Sequence, residues 1–171
     1  MRLDEFNALP EADATSTVSV WAAIPTWVDA IVAARPYASV DQLAEMAGVL
    51  AAQWTRDDLD AALAHHPRIG ERPTASGAEA EASRREQAAM STAAAGEADR
   101  IAAGNAAYEQ RFGRVFLIRA AGRSPADILG ELDRRLTNDD ATEASEALGQ
   151  LTEIALLRLR GAVTESEKVR P

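Results

Sequence analysis

A chain of 171 residues with a formal net charge of -9 has the size of a single domain, and its acidic balance leaves no basic stripe for nucleic acid or for an anionic membrane surface. Hydrophobic residues are 47%, aromatics only 5%, and cysteine is absent. The core must therefore be aliphatic and alanine-rich, and disulfides, thiolate nucleophiles, Cys-ligated zinc and iron–sulfur clusters are excluded.

No run approaches the 18 or so apolar residues of a membrane span, and the acidic start MRLDEFNALPEAD does not read as a signal peptide. A cytoplasmic protein is expected, and the lack of cysteine fits a reducing compartment. The first predicted helix runs from Pro10 to about Ile24, with Pro10 in its first turn. A second starts at Pro25 and stops before Arg35-Pro36. Ser39-Val-Asp-Gln42 reads as a capping box, followed by a helix whose Leu43, Met46, Ala47 and Leu50 form one apolar face. Thr55 caps the next helix, RDDLDAALAHH, with Asp57 and Asp58 at its positive end.

Pro67 ends that helix, and a loop bounded by Pro67 and Pro73 follows. Residues 78–90 are helical by propensity, and Gly96 separates them from a helix that ends at Gly113, a natural C-cap. The short apolar run Val115–Ala120 is either a strand or a buried helical segment, which periodicity cannot decide. Ser124-Pro-Ala-Asp127 starts a helix with Leu129, Leu132 and Leu136 on its core face. Asn138 caps a long last helix running to about Gly161. With no internal repeat or linker tract, the chain reads as an all-α fold, a single compact domain of seven to nine helices over residues 1–165 with a disordered tail at 166–171.

Three features could carry chemistry. The chain's two histidines, His65 and His66, are adjacent at a helix end. A helix C-terminus favours His through its dipole, which is the plainer reading. Neighbouring residues on a helix diverge by about 100°, so the pair does not ligate one metal from a single turn. His66 precedes a proline and leaves the helix at a junction where a side chain can face a cleft. Ser83, Glu86 and Gln87 share one polar helical stripe; it is either a solvated face or a hydrogen-bonding wall for a flat, amide-rich ligand. Arg119 stands inside the apolar run Phe116-Leu117-Ile118-Arg119-Ala120. It either reaches out to solvent or a helix end, or waits for a substrate carboxylate. No phosphate loop, nucleophile elbow or metal cluster stands out.

These residues, with Phe6-Asn7, Ala34-Arg-Pro-Tyr-Ala-Ser39, His66-Pro-Arg-Ile-Gly70, Ser83-Arg-Arg-Glu-Gln87, Asn105-Ala-Ala-Tyr108, Arg111-Phe-Gly113, Gly122-Arg-Ser124 and Arg135-Leu-Thr-Asn138 in order, resemble the OHCU (2-oxo-4-hydroxy-4-carboxy-5-ureidoimidazoline) decarboxylase family. The ordered set spans roughly residues 3–160. The resemblance implies an all-α decarboxylase of urate degradation, usually a homodimer, that yields (S)-allantoin and CO2 with no cofactor and no metal. It implies His66 and Glu86 as catalytic residues. Pro67, Ser83, Gln87 and the segment Phe116, Leu117, Ile118, Arg119 and Ala120 would hold the substrate. Competing readings are a neighbouring ureide reaction, such as 5-hydroxyisourate hydrolysis, and a non-enzymatic helical interaction module.

Overall fold

Several helix boundaries in the computed structural model, which describes residues 1–64, 68–70, 78–86 and 95–166, have a local cause. Among the described residues there are nine α-helices and one isolated parallel bridge, Arg2 with Thr164, so the all-α expectation holds. The chain divides into two compact units, residues 1–54 with 152–171, and residues 55–151. Among the described residues, no helix is long and apolar enough to cross a membrane.

The first unit opens with α1 (Leu3–Ala8), which the sequence reading left out. Arg35 holds its far end, donating from Nη1 to the Phe6 and Leu9 carbonyls at 2.9 Å each. Asn7 and Tyr37 exchange a reciprocal pair of side chain–backbone bonds at 2.8 and 2.9 Å. The next helix, α2 (Glu11–Trp21), starts one residue after Pro10 and ends three residues before Ile24. Its Ser16, Thr17 and Ser19 hydroxyls donate to carbonyls four residues back, at 2.8 to 2.9 Å. That back-bonding satisfies the hydroxyls within the helix, at a slight cost to helix stability.

Pro25 opens α3 (Pro25–Ala33) from its first position. Ser39 caps α4 (Val40–Ala51), its oxygen accepting from the Gln42 amide at 3.1 Å. The Gln42 side chain accepts from Ala38, not Ser39. The buried face of α4 is Val40, Leu43, Ala44, Ala47 and Ala51, rotated from the predicted stripe, and Met46 lies exposed. The small alanines let α4 seat closely on α3, where Trp27 donates from Nε1 to the Ala47 carbonyl at 3.0 Å.

In the second unit, Thr55 caps α5 (Arg56–Leu63) as expected, and Asp58 completes a reciprocal capping box with it. Then come α6 (Ala78–Glu86), α7 (Ala95–Phe112) and α8 (Pro125–Arg135). Gly96 does not separate helices; it is the second residue of α7. Gly113 ends α7 at φ 70, its amide bonded to the Glu109 carbonyl at 2.9 Å. Only glycine takes that left-handed conformation without strain. Ser124 and Asp127 box the start of α8. The last helix, α9 (Asp140–Ala162), contributes residues through Leu151 to this unit and the remainder to the first. Its cap is Asp139, whose Oδ1 accepts from the Thr142 amide at 2.8 Å, and not the predicted Asn138. The core of this unit gathers Ile69, Ile101, Tyr108, Phe112, Phe116, Ile118, Ile128, Leu129 and Leu132, with Leu136 partly buried against it.

Candidate active site

Residues 115–120 are neither helix nor strand, which corrects both sequence alternatives. Phe116, Leu117, Ile118 and Ala120 are nonetheless buried. A buried segment without a ladder must satisfy its peptide groups by other means, and here side chains supply them. The Leu117 carbonyl accepts from Arg135 Nη1 at 2.8 Å. The Arg119 amide donates to Gln150 Oε1 at 3.0 Å. The Arg119 carbonyl accepts from Arg123 Nε at 3.2 Å, and the Ala120 carbonyl from the Arg123 amide at 3.0 Å. The Arg119 guanidinium itself donates from Nη1 to the Ala121 carbonyl at 2.8 Å.

The Arg135 anchor is fully buried, 1% exposed beside Glu143 at 0%. A charge in such a place persists only when paired and hydrogen-bonded. Arg135 Nε donates to Glu143 Oε1 at 2.9 Å, the Tyr108 hydroxyl donates to the same carboxylate, and Asn138 Nδ2 reaches Glu143 Oε2 at 2.9 Å. The guanidinium also lies 4.7 Å from the centre of the Phe116 ring, a cation–π contact strengthened by desolvation. Burial, and next its bond to Glu143, pushes the Tyr108 phenol well above its ordinary range.

A second set of contacts joins α7 to the loop after His66. Asn105 Nδ2 donates to the Ile69 carbonyl at 2.9 Å. One turn on, Glu109 pairs with Arg68 at 2.8 Å from Nη2, and that guanidinium holds the Glu109 carboxyl below its ordinary value of 4.5. Ile69 packs in the same core cluster as Phe116, Ile118 and Ala120. Ile69 thus shares a core with the 116–120 segment.

Of the other predicted site residues, Ser83 is buried on α6 and Glu86 is half-buried at its end. His65, His66, Pro67 and Gln87 lie outside the described residues. A cavity of about 340 Å³ opens at the end of α5, lined by Asp60, Leu63, Ala64, Glu109, Gly113, Arg114 and Val115. Arg114 bridges Asp60 at 3.1 Å and Asp140 at 3.2 Å. Among the described residues that line it, none is a predicted site residue. The sequence reading names Asn105 and Arg135 only as members of the signature pieces, with no role, and does not single out Glu143 or Gln150. An arginine and a glutamate at positions that helical spacing puts among apolar neighbours were the available signal for Arg135 and Glu143.

Comparison with known proteins adds an independent line. The family model for OHCU decarboxylase matches residues 7–160. The chain is 31% identical over 126 residues to the 2-oxo-4-hydroxy-4-carboxy-5-ureidoimidazoline decarboxylase of Haloferax volcanii, covering 73% of each protein. It is 29% identical over 167 residues to the uric acid degradation bifunctional protein PucL of Bacillus subtilis, where the match covers 95% of this chain and spans 33% of that longer protein. In fold it is similar to a crystal structure of OHCU decarboxylase in the presence of (S)-allantoin, with a TM-score of 0.70, 23% identity, and 84% and 94% of the two chains covered.

Proposed function

The chain belongs to the OHCU decarboxylase family, and from that premise we propose that it decarboxylates OHCU to (S)-allantoin and CO2 as a carboxy-lyase of urate degradation. The observation that carries this reading is the family match, which runs almost the length of the chain.

The chemistry asks little of the protein. Breaking the C–CO2 bond releases an electron pair, and the substrate's own ring C=N, next to the carbon bearing the carboxylate and hydroxyl, accepts it. The protein has to align that bond with the π-system and manage protons. Histidine, whose unperturbed pKa is about 6.5, suits the exchange of a proton with the substrate hydroxyl or ring, and we assign that role to His66. Glu86 fixes the imidazole tautomer or accepts from the ureido group. Ser83, Gln87, Pro67 and the Phe116–Ala120 segment hold the ring. Protonation of the planar intermediate from one face leaves a single enantiomer. The burial of Ser83 and the core that Ile69 shares with Phe116, Ile118 and Ala120 support this assignment. The same proposal extends to a homodimer in the cytoplasm, for which light scattering should give twice 18.2 kDa.

The test supplies the purified chain with freshly generated OHCU and follows the product by NMR. Accelerated appearance of (S)-allantoin with CO2 release is expected. No acceleration above the spontaneous rate, or turnover of 5-hydroxyisourate instead, sinks the assignment.

A further inference from the structure

We propose that Gln150 is a positioning residue: by accepting the Arg119 amide it sets the register in which the 116–120 segment meets the substrate. This rests on the reading that the segment lines the substrate site. The segment has no helical or strand bonding of its own, so its course is set by side chains from elsewhere. Arg135 on α8 takes the Leu117 carbonyl at 2.8 Å, and Gln150 on α9 takes the Arg119 amide at 3.0 Å, two residues along. The two contacts clamp the stretch between them, which contains Ile118. They differ in kind. Arg135 is locked into a fully buried ion pair with Glu143, so its loss leaves an uncompensated carboxylate in the core and endangers folding. Gln150 is only half-buried, so its acceptor can be removed while the core stays intact.

The test compares Gln150→Met, which keeps the side-chain length and loses the acceptor, with Gln150→Glu, which keeps an acceptor oxygen. Steady-state decarboxylation of OHCU, Tm and hydrogen exchange at the Arg119 amide are measured on each. One neutral hydrogen bond corresponds to about a threefold to tenfold change in an equilibrium constant. Gln150→Met is therefore expected to raise KM by that factor with kcat little changed, the pattern of lost uniform binding. The Arg119 amide should exchange faster, and Gln150→Glu should return both towards wild type. An unchanged Arg119 exchange rate in Gln150→Met overturns the positioning role whatever the activity. An unchanged KM, or a raised KM that Gln150→Glu does not restore, also overturns it while leaving the decarboxylase reading intact. A wild-type chain without decarboxylase activity overturns that reading, and this proposal with it.

Discussion

His65 and His66 follow α5 with nearly the same sequence neighbours, so a role in complementing the helix dipole would fall on both alike. Proton transfer would not, because it needs one ring within about 2.6–3.2 Å of the substrate. His66→Asn is expected to abolish decarboxylation above the spontaneous rate while His65→Asn keeps most of it. The gap should be about 10²–10⁴-fold, the usual worth of a general acid–base step. Equal losses, or the reverse order, would put the site on the wrong residue. Glu86, half-buried at the end of α6, gives a second check. Glu86→Gln preserves shape and removes charge, so kcat should fall steeply while stability moves by no more than about 0.5 kcal/mol. A solvated-face role predicts wild-type turnover.

Helix contacts decide what the glycines do. At the packing of α7 on α8, a Cβ on Gly104 would sit 2.4 Å from Leu132 Cδ2, and Leu132 is fully buried. The far end of a leucine can rotate, but here it would turn into a filled core. Overpacking of this kind costs about 1–3 kcal/mol, against the roughly 0.5–1 kcal/mol that Ala gains over Gly in a helix. Gly104→Ala should therefore lower stability by about 1–2 kcal/mol, a fall of about 2–8 °C in Tm. Gly149 in α9 is exposed and has nothing within 4 Å of its virtual Cβ. Gly149→Ala should keep only the helix gain and stabilise by about 0.5–1 kcal/mol. Calorimetry on the pair separates the two terms; a stabilised Gly104→Ala would mean that α7 and α8 yield more than the packing implies.

Across the described residues, hydrogen bonds and ion pairs hold several carboxyls below their ordinary values. Asp58 lies below its ordinary 3.8 because of the Thr55 amide and hydroxyl it accepts from. Asp127 is lowered by Ser124 in the same way, Asp140 chiefly by Arg56, and Glu109 by Arg68. A carboxylate with a depressed folded pKa binds fewer protons folded than unfolded between its two pKa values, so stability rises with pH there. That stability is fully present above the unfolded value and is lost as pH falls through the folded one. Tm should stay level on acidification from neutral to about pH 5 and then drop steadily. A Tm that held to pH 3 or so would show that these caps and pairs carry no net stability.

The sequence by itself determined the helices whose signals are local. Ser39, Thr55 and Ser124 cap helices, Pro25 and Pro125 open them, and Gly113 closes one, because each acts on groups within about four residues. It also determined the family, since the signature pieces stand in order along the chain. Tertiary structure alone decided what joins those pieces. Asn105 reaches Ile69 across 36 positions, Arg35 reaches Phe6 across 29, and Arg135 reaches Leu117 across 18. The run Val115–Ala120 was ambiguous for the same reason. Its hydrogen bonds go to side chains on α8 and α9 and to the turn that follows it, and hydrophobic periodicity carries no record of a distant partner. So α1, six residues long and too short to stand on propensity alone, is held by distant groups, among them Arg35, Tyr37 and the Thr164 carbonyl.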